Sequence, residues 1–288
     1  MRECIEREYE GLKFLRHYGI DCVPGPLEVD YGGCAIYEYV EGTPFRPADV
    51  KDEDIDVAVD FLAKLRGLTD KPESQQLLQA AEACLSLADI CGQIERRLDR
   101  LLFLNANEPI VQQVRRFLQE EFTPAWRQLE RSAQEGGLED AVLPREQQTL
   151  SPSDFGFHNA VRRSNGQVVF VDFEYFGWDD PAKMAVDFLL HPQMELSDAH
   201  KRRFLARLLD RFEPSAALRE RIKTVYPLFG LKWCLILLNE FLPDQAARRQ
   251  FASTEPFRPE KMRVRQLEKA QTMLRHVLET YDPFPYLN

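Results

Sequence analysis

Ile5, Tyr9, Leu12 and Leu15 recur at intervals of three and four between charged residues. This spacing lines them up on one face and predicts an amphipathic helix over residues 5–18. Gly19 follows where a helix C-cap is expected. From Val23-Pro24 the chain reads as extended. Residues 26–29 and 34–40 are β-rich and flank Asp30-Tyr31-Gly32-Gly33, which predicts a hairpin; Glu41-Gly42-Thr43-Pro44 ends it. After Lys51 the period is helical again, with Val57, Phe61 and Leu65 on one face and Ala58 and Leu62 on the adjoining one. Helices are expected over about 75–104 and 110–134, with turns at Asn105 to Pro109 and at Gly136-Gly137. A second β-type run, 168–173, follows Ser164-Asn165-Gly166, where Asn and Gly tolerate positive φ. From Pro181 to about Tyr281 the chain reads as helix broken at Pro192, Pro214, Pro227, Pro243, Pro256 and Pro259, and Asp282-Pro283-Phe284-Pro285 stops it. Short strands segregated from a large helical part make the fold class α+β.

Composition narrows the partners. The 288 residues are 44% hydrophobic and 29% charged, a globular balance that excludes disorder for most of the chain. At about 150 residues per domain, the length suggests two domains or lobes. Lys and Arg total 37 against 47 Asp and Glu, a net charge of −10. That sign argues against nucleic acid or an anionic membrane as partner. No apolar segment follows the charged residues 1–9, so no secretory signal is expected. The most apolar stretch, 231–242, contains Lys232 and Glu240 and is too short for a bilayer core of ~30 Å. It reads as a buried helix. Cys4, Cys22, Cys34, Cys84, Cys91 and Cys234 form no Cys-x-x-Cys pair and no zinc pattern. They read as buried or partly buried thiols in a reducing cytoplasm. Arg-rich stretches such as 201–203 read as solvated helix faces.

The candidate chemistry lies in Ser151-Pro152-Ser153-Asp154-Phe155-Gly156-Phe157-His158-Asn159 and in Val171-Asp172-Phe173-Glu174. The first is a loop with Asp and Asn five residues apart; the second puts Asp and Glu beside an apolar strand. Oxygen ligands of this kind suit a hard cation such as Mg²⁺, held by one or two protein groups and substrate phosphates. A loop Asp next to that cation can take the proton of an attacking hydroxyl. His158 reads as a hydrogen-bonding loop residue rather than a base, and Asp179 and Asp180 before Pro181 as capping or turn residues. Tyr175 and Trp178 read as either core or substrate-facing.

These motifs resemble the aminoglycoside phosphotransferase and choline kinase family, which has a protein-kinase-like fold and a catalytic loop H-G-D-x-x-x-x-N followed by a hairpin and D-x-E or D-x-D. The resemblance implies a small partial N-terminal lobe over residues 1–45, made of helix, hairpin and hinge, and a mainly helical lobe over 46–288 carrying the catalytic loop and metal hairpin. It makes Asp154 the catalytic Asp and Asn159, Asp172 and Glu174 the Mg²⁺ ligands. Gly177-Trp178-Asp179-Asp180-Pro181 with Asp187 resembles the family's G-x-x-D-P…D segment, in which Asp187 supports the loop. Arg7 to Leu12 resembles the helix whose Glu pairs with the ATP-binding Lys, which assigns Glu8. Ala35 to Gly42 resembles the fifth strand and hinge, with the backbone near Glu38, Tyr39 and Val40 meeting adenine. The implied cofactors are ATP and Mg²⁺, and the implied partner is a small-molecule hydroxyl such as that of an amino sugar or amino alcohol.

Three departures qualify the resemblance. Pro152-Ser153 stands in place of His-Gly, so the loop must be braced from elsewhere. Arg66 stands where the helix often ends in His. Only seven residues precede Glu8, too few for a Gly-rich loop and a Lys-bearing strand. A start at Met1 is therefore expected to be a truncation or a misassigned initiation. The rival readings are a degenerate kinase acting as a binding or regulatory module and, more remotely, a Mg²⁺-dependent hydrolase.

Overall fold

The computed structural model describes residues 2–30, 33–105, 107–137, 141–212, 216–243 and 259–287. Tyr31 and Gly32 of the expected turn, and the expected breaks at Pro214 and Pro256, lie outside them. The chain forms two compact units: one of residues 1–85, 143–222 and 285–288, the other of 86–142 and 223–284.

The first unit opens with α1 (Arg2–His17). At its end the Ile20 N–H donates to the Leu15 carbonyl at 3.0 Å and the Gly19 N–H to that of Arg16 at 3.1 Å, with Gly19 at φ 76°. This is the Schellman closure expected of a Gly one residue past the last turn. The hairpin follows as β1 (Pro26–Asp30) and β2 (Cys34–Tyr37), antiparallel with Asp30 opposite Cys34. Cys34 is exposed there rather than buried, because the hairpin is a two-stranded sheet on its own. A short β3 (Thr43–Pro44) leads to α2 (Asp52–Gly67), whose Phe61, Leu62 and Leu65 are buried.

Four strands and two helices complete the frame around the motifs. β4 (Thr149–Ser151) pairs antiparallel with β7 (Gly177–Asp179), and β5 (Ala160–Arg162) lies between β3 and β6 (Val168–Phe170). α6 (Pro181–Leu190) is buried at every position, and α7 (Asp198–Arg211) packs on α2. The core is aromatic. Phe61 stacks on Phe170 at 4.7 Å and on Phe155 at 5.6 Å, and Phe188 on Phe204 at 3.8 Å. Burying a Phe stabilises by about 1.5–3 kcal/mol, so these rings fix the floor under both motif loops.

Two expectations for this unit are corrected. The 201–203 stretch is not a solvated face: Arg203 Nη2 pairs with Asp56 at 2.8 Å and its Nη1 with Asp52 at 3.3 Å, while Lys201 Nζ lies 5.4 Å from the Tyr286 ring centroid. Arg207 continues the ladder to Asp56 and Arg211 to Asp60, because both helices repeat their charges every four residues. Residues 77–85 are not helical either. The Trp178 N–H donates to the Leu78 carbonyl at 3.0 Å and the Ala80 N–H to the Trp178 carbonyl at 2.9 Å, so this segment runs beside β7 instead. A Cβ on Gly177 would collide with the Leu78 carbonyl oxygen and stand 2.6 Å from the Ala80 nitrogen. Backbone cannot yield as a side chain does, so Gly177→Ala will destabilise by about 1–3 kcal/mol. A lower urea midpoint at unchanged m-value is the expected reading, and an unshifted midpoint would count against the packing described.

The second unit is helical: α3 (Leu87–Leu102), α4 (Pro109–Phe117), a π-helical turn Leu118–Phe122, α5 (Thr123–Glu135), most of α8 (Ala216–Leu237) and α9 (Pro259–Thr280). α3 starts at 87 and not near 75 because Ser86 caps it: its Oγ accepts from the Asp89 N–H at 3.1 Å, and Asp89 Oδ2 accepts from the Ser86 N–H at 3.0 Å. Pro227 does not break α8; it lies inside it. A Pro there forfeits a backbone bond, but Val225, Tyr226, Leu228 and Phe229 around it have 0% exposure, and that burial holds the helix together. Pro259 begins α9, where a missing N–H does no harm. Residues 235–238 are buried or half-buried, as the apolar run predicted. Among the described residues no helix is long and apolar enough to cross a membrane.

Candidate active site

The first motif is the connection from β4 to β5. Ser153 takes φ 69° and Asp172, in the second motif, φ 66°, both left-handed and unusual for residues other than glycine. Strain of this kind persists where surrounding structure fixes it, and it concentrates at functional loops. The Asn159 side-chain amide donates to the Asp154 carbonyl at 3.0 Å and approaches Asp154 Oδ2 at 3.4 Å. That leaves the Asn159 amide oxygen as the atom able to ligate a cation. The Val171 N–H donates to the Asn159 carbonyl at 2.9 Å, which sets the second motif directly beside the first.

The bracing that Pro152-Ser153 cannot supply comes from three places. Lys183 on α6 donates to Ser153 Oγ at 3.1 Å and pairs with Asp179 and Asp187, each at 2.9 Å. Arg66, at the end of α2, donates to the carbonyls of Gln148 and Glu146 and holds the strand entering the loop. His158 and His191 both place Nε2 against Asp154 Oδ1, at 3.2 and 3.3 Å. Burial pushes the Asp154 carboxyl up, but the hydrogen bonds from His158 and His191 outweigh it and hold it well below the usual range. Burial pushes the His191 imidazole down.

Asp154, His158 and His191 bring three ligand atoms within 4.8 Å of one another. They do not fit a zinc ion. The rings stack at 3.7 Å with 6° between planes, so their Nε2 lone pairs run side by side rather than converging on one point ~2 Å away.

Oxygen donors gather at the second motif. Asp172 is exposed on one side and partly desolvated by the protein on the other. That desolvation, then the charges of Glu174, Asp154 and Glu8, pushes its carboxyl up to about 6. Glu8 on α1 is pushed up by burial, opposed by the hydrogen bond from the Phe173 N–H at 3.2 Å. Among the described residues no Lys or Arg forms an ion pair with Glu8, Asp172 or Glu174. Carboxylates that raise one another, with an amide oxygen beside them, fit a hard divalent cation.

The remaining sequence candidates fall into place. The Glu38 side chain is structural: it accepts from Arg163 at 2.7 Å and from the Gly25 N–H at 3.1 Å, and Arg163 first of all lowers its carboxyl. Tyr39 is 88% exposed, and the peptides of Tyr39 and Val40 make no backbone–backbone bond among the described residues. Asp180 caps α6, accepting from the Ala182 N–H at 2.8 Å and from Arg221 at 2.7 Å. Asp179 accepts from the Asp180 N–H at 2.9 Å, so both acidic groups are capping and turn residues as expected. Trp178 is core: its Nε1–H donates to the Ser74 carbonyl at 2.9 Å, and Arg145 lies 3.4 Å from its ring centroid. Tyr175 is half-buried. Two residues escaped the sequence reading. Lys183 had a signal, since Asp179, just before α6, and Lys183 and Asp187 on it stand four residues apart. His191 had none, being 37 residues from Asp154 and followed by Pro192.

Comparison with known proteins is consistent with this geometry. The model of the phosphotransferase enzyme family matches residues 2–224. No curated protein sequence matches. The fold is similar to that of a choline kinase from Cryptosporidium parvum Iowa II at a TM-score of 0.61 and 12% identity, over 95% of this chain and 79% of that one. It is similar to the choline kinase LicA from Streptococcus pneumoniae at a TM-score of 0.58 and 17% identity, over 95% and 82%. An AMP-bound spectinomycin phosphotransferase matches at a TM-score of 0.65 and 9% identity, over 96% and 84%. The fold is thus protein-kinase-like and α+β.

Proposed function

This chain belongs to the phosphotransferase enzyme family, and on that premise we propose that it transfers the γ-phosphoryl group of ATP to a hydroxyl of a small molecule such as an amino sugar or amino alcohol. The observation that carries this reading is the bond from the Val171 N–H to the Asn159 carbonyl, which sets Asp154 and Asn159 beside Asp172 on strained, braced loops. Asp154 receives the acceptor hydroxyl as an ionised hydrogen-bond acceptor. As the hydroxyl oxygen bonds to the γ-phosphorus and the bond to the bridging oxygen of ADP breaks, the hydroxyl proton passes to the Asp154 carboxylate. Asn159, Asp172 and Glu174 would hold Mg²⁺, whose chemistry when bound is to neutralise phosphate charge. Glu8 braces the second motif through the Phe173 N–H, and the peptides from Glu38 to Val40, at the boundary between a lobe of residues 1–45 and one of 46–288, meet the adenine. Catalysis in this reading is positioning and electrostatics. The proposed compartment is the cytoplasm, where ATP is supplied.

One observation favours a second reading, a kinase-like binding or regulatory module: Glu8 has no Lys or Arg ion pair among the described residues. Thermal denaturation with Mg·ATP tests the nucleotide site. At a hundredfold excess over Kd, bound ligand stabilises by about 2.7 kcal/mol, a rise in Tm of roughly 5–10 °C. Asp172→Ala should abolish the rise. No rise in the unaltered chain at millimolar Mg·ATP would sink the phosphotransferase reading.

A further inference from the structure

We propose that His191, with His158, is a positioning residue that locks the Asp154 carboxylate in one orientation, Oδ1 held and Oδ2 presented. The part of this that concerns the acceptor hydroxyl rests on the phosphotransferase reading. Both Nε2 atoms reach the same oxygen, at 3.2 and 3.3 Å, while among the described residues Oδ2 has only the Asn159 amide at 3.4 Å.

The protons can be placed from the partners on the far side of each ring. The Gln193 N–H donates to His191 Nδ1 at 3.3 Å, so that nitrogen is an acceptor and the His191 proton sits on Nε2, facing Asp154. His158 Nδ1 is buried with no hydrogen-bond partner among the described residues. An orphaned N–H is rarer in proteins than an under-satisfied acceptor, so His158 takes the same tautomer and also donates from Nε2. Two N–H donors on one carboxylate oxygen oppose rotation of the group. The parallel stack at 3.7 Å keeps both rings edge-on to that oxygen.

The clamp is carried by the turn after α6. His191 closes the helix, its N–H on the Asp187 carbonyl at 2.9 Å, and the Met194 N–H returns to the His191 carbonyl at 3.2 Å. Met194 Sδ accepts from the Phe157 N–H at 3.3 Å. A side chain at position 156 would run into Met194 Sδ and stand 2.8 Å from His158 Nδ1, so Gly156 is what lets the turn close on the loop. The turn therefore grips the catalytic loop at Phe157 and at Asp154, and α6, buried along its whole length, anchors the grip.

Two measurements test the clamp. The first does not depend on turnover: long-range ¹H–¹⁵N correlation of the imidazoles in the full chain, assigned with His158→Gln and His191→Gln. The chain has five His, so the spectrum is tractable. The expected result is a proton on Nε2 and none on Nδ1 for both rings, and a shift of both Nε2 signals in Asp154→Asn. A proton on Nδ1 of His191, or signals indifferent to Asp154→Asn, would overturn the proposal. The second is kinetic, with any acceptor the unaltered chain phosphorylates. His191→Ala should lower kcat by about 10- to 100-fold with both KM values unchanged. His191→Gln, whose amide N–H occupies the place of Nε2, should recover most of the loss. A His191→Gln variant as slow as His191→Ala at equal Tm would refute the donor role. A chain that phosphorylates nothing but shows the coupled Nε2 tautomers would sink the phosphotransferase reading and keep the clamp.

Discussion

Exchanging Asp154 for asparagine will lower turnover by about 10²- to 10⁴-fold and leave the Mg·ATP thermal shift in place. Asn has the same size, and its carbonyl oxygen still accepts from His158 and His191, so the loop loses only the 3.4 Å contact from the Asn159 amide to Oδ2. What disappears is the negative charge, and the amide group set at the Oδ2 position donates instead of accepting. An attacking hydroxyl then meets a donor, with nowhere to leave its proton. Because the His bonds hold the Asp154 carboxyl well below the usual range, it is ionised throughout ordinary pH. An acidic limb of the rate profile near neutrality therefore belongs to another group. Single-turnover rates with nucleotide binding measured in parallel check this. Equal rates in the two proteins would remove Asp154 from the chemistry, and loss of nucleotide binding would show that the substitution disturbed more than the acceptor side.

Replacing Lys183 with methionine will have the largest effect on stability. The ammonium sits between Asp179 and Asp187 at 2.9 Å each, with side-chain exposures of 1%, 0% and 11%. Methionine fills the volume but leaves two enclosed carboxylates facing one another. Breaking a buried pair from one side costs about 3–5 kcal/mol, a fall in Tm of roughly 6–20 °C. The pH dependence fixes the cause. Burial already pushes the Asp179 carboxyl up, and without Lys183 the Asp180 N–H is left to oppose that with no countercharge beside it. A folded-state value above the unfolded one gives stability that is present at low pH and lost as pH rises. The variant should therefore lie closer to the parent at pH 5 than at pH 8. A deficit equal at both values would mean that the loss is packing, not charge.

The sequence was legible where local chemistry is self-contained. The Gly19 closure, the pairing of strands 26–30 and 34–37, the helix after Lys51 and the two acidic motifs each announce themselves within a few residues. It misled where a distant partner overrode local preference. Residues 77–85 have ordinary helical composition but gain more by pairing with Trp178. Pro227 ought to end a helix, yet complete burial of its neighbours carries the helix through. Arg203 looked solvated because its partners, Asp52 and Asp56, lie some 150 positions earlier.

What the sequence determined by itself is the identity and order of the chemical groups: Asp154, Asn159, Asp172 and Glu174 in family spacing, and the helical and hairpin segments that flank them. Spacing along the chain suffices for these because loop and strand geometry is local. What only the tertiary structure decided is how those groups are held. The His contacts on Asp154 Oδ1, the partner of Ser153, the bond from Phe173 to Glu8 and the stacking of His158 on His191 all join residues that approach only once α1, α6 and the strands have packed. Orientation of a carboxylate is a property of its surroundings in space, and no period or spacing in the chain encodes it.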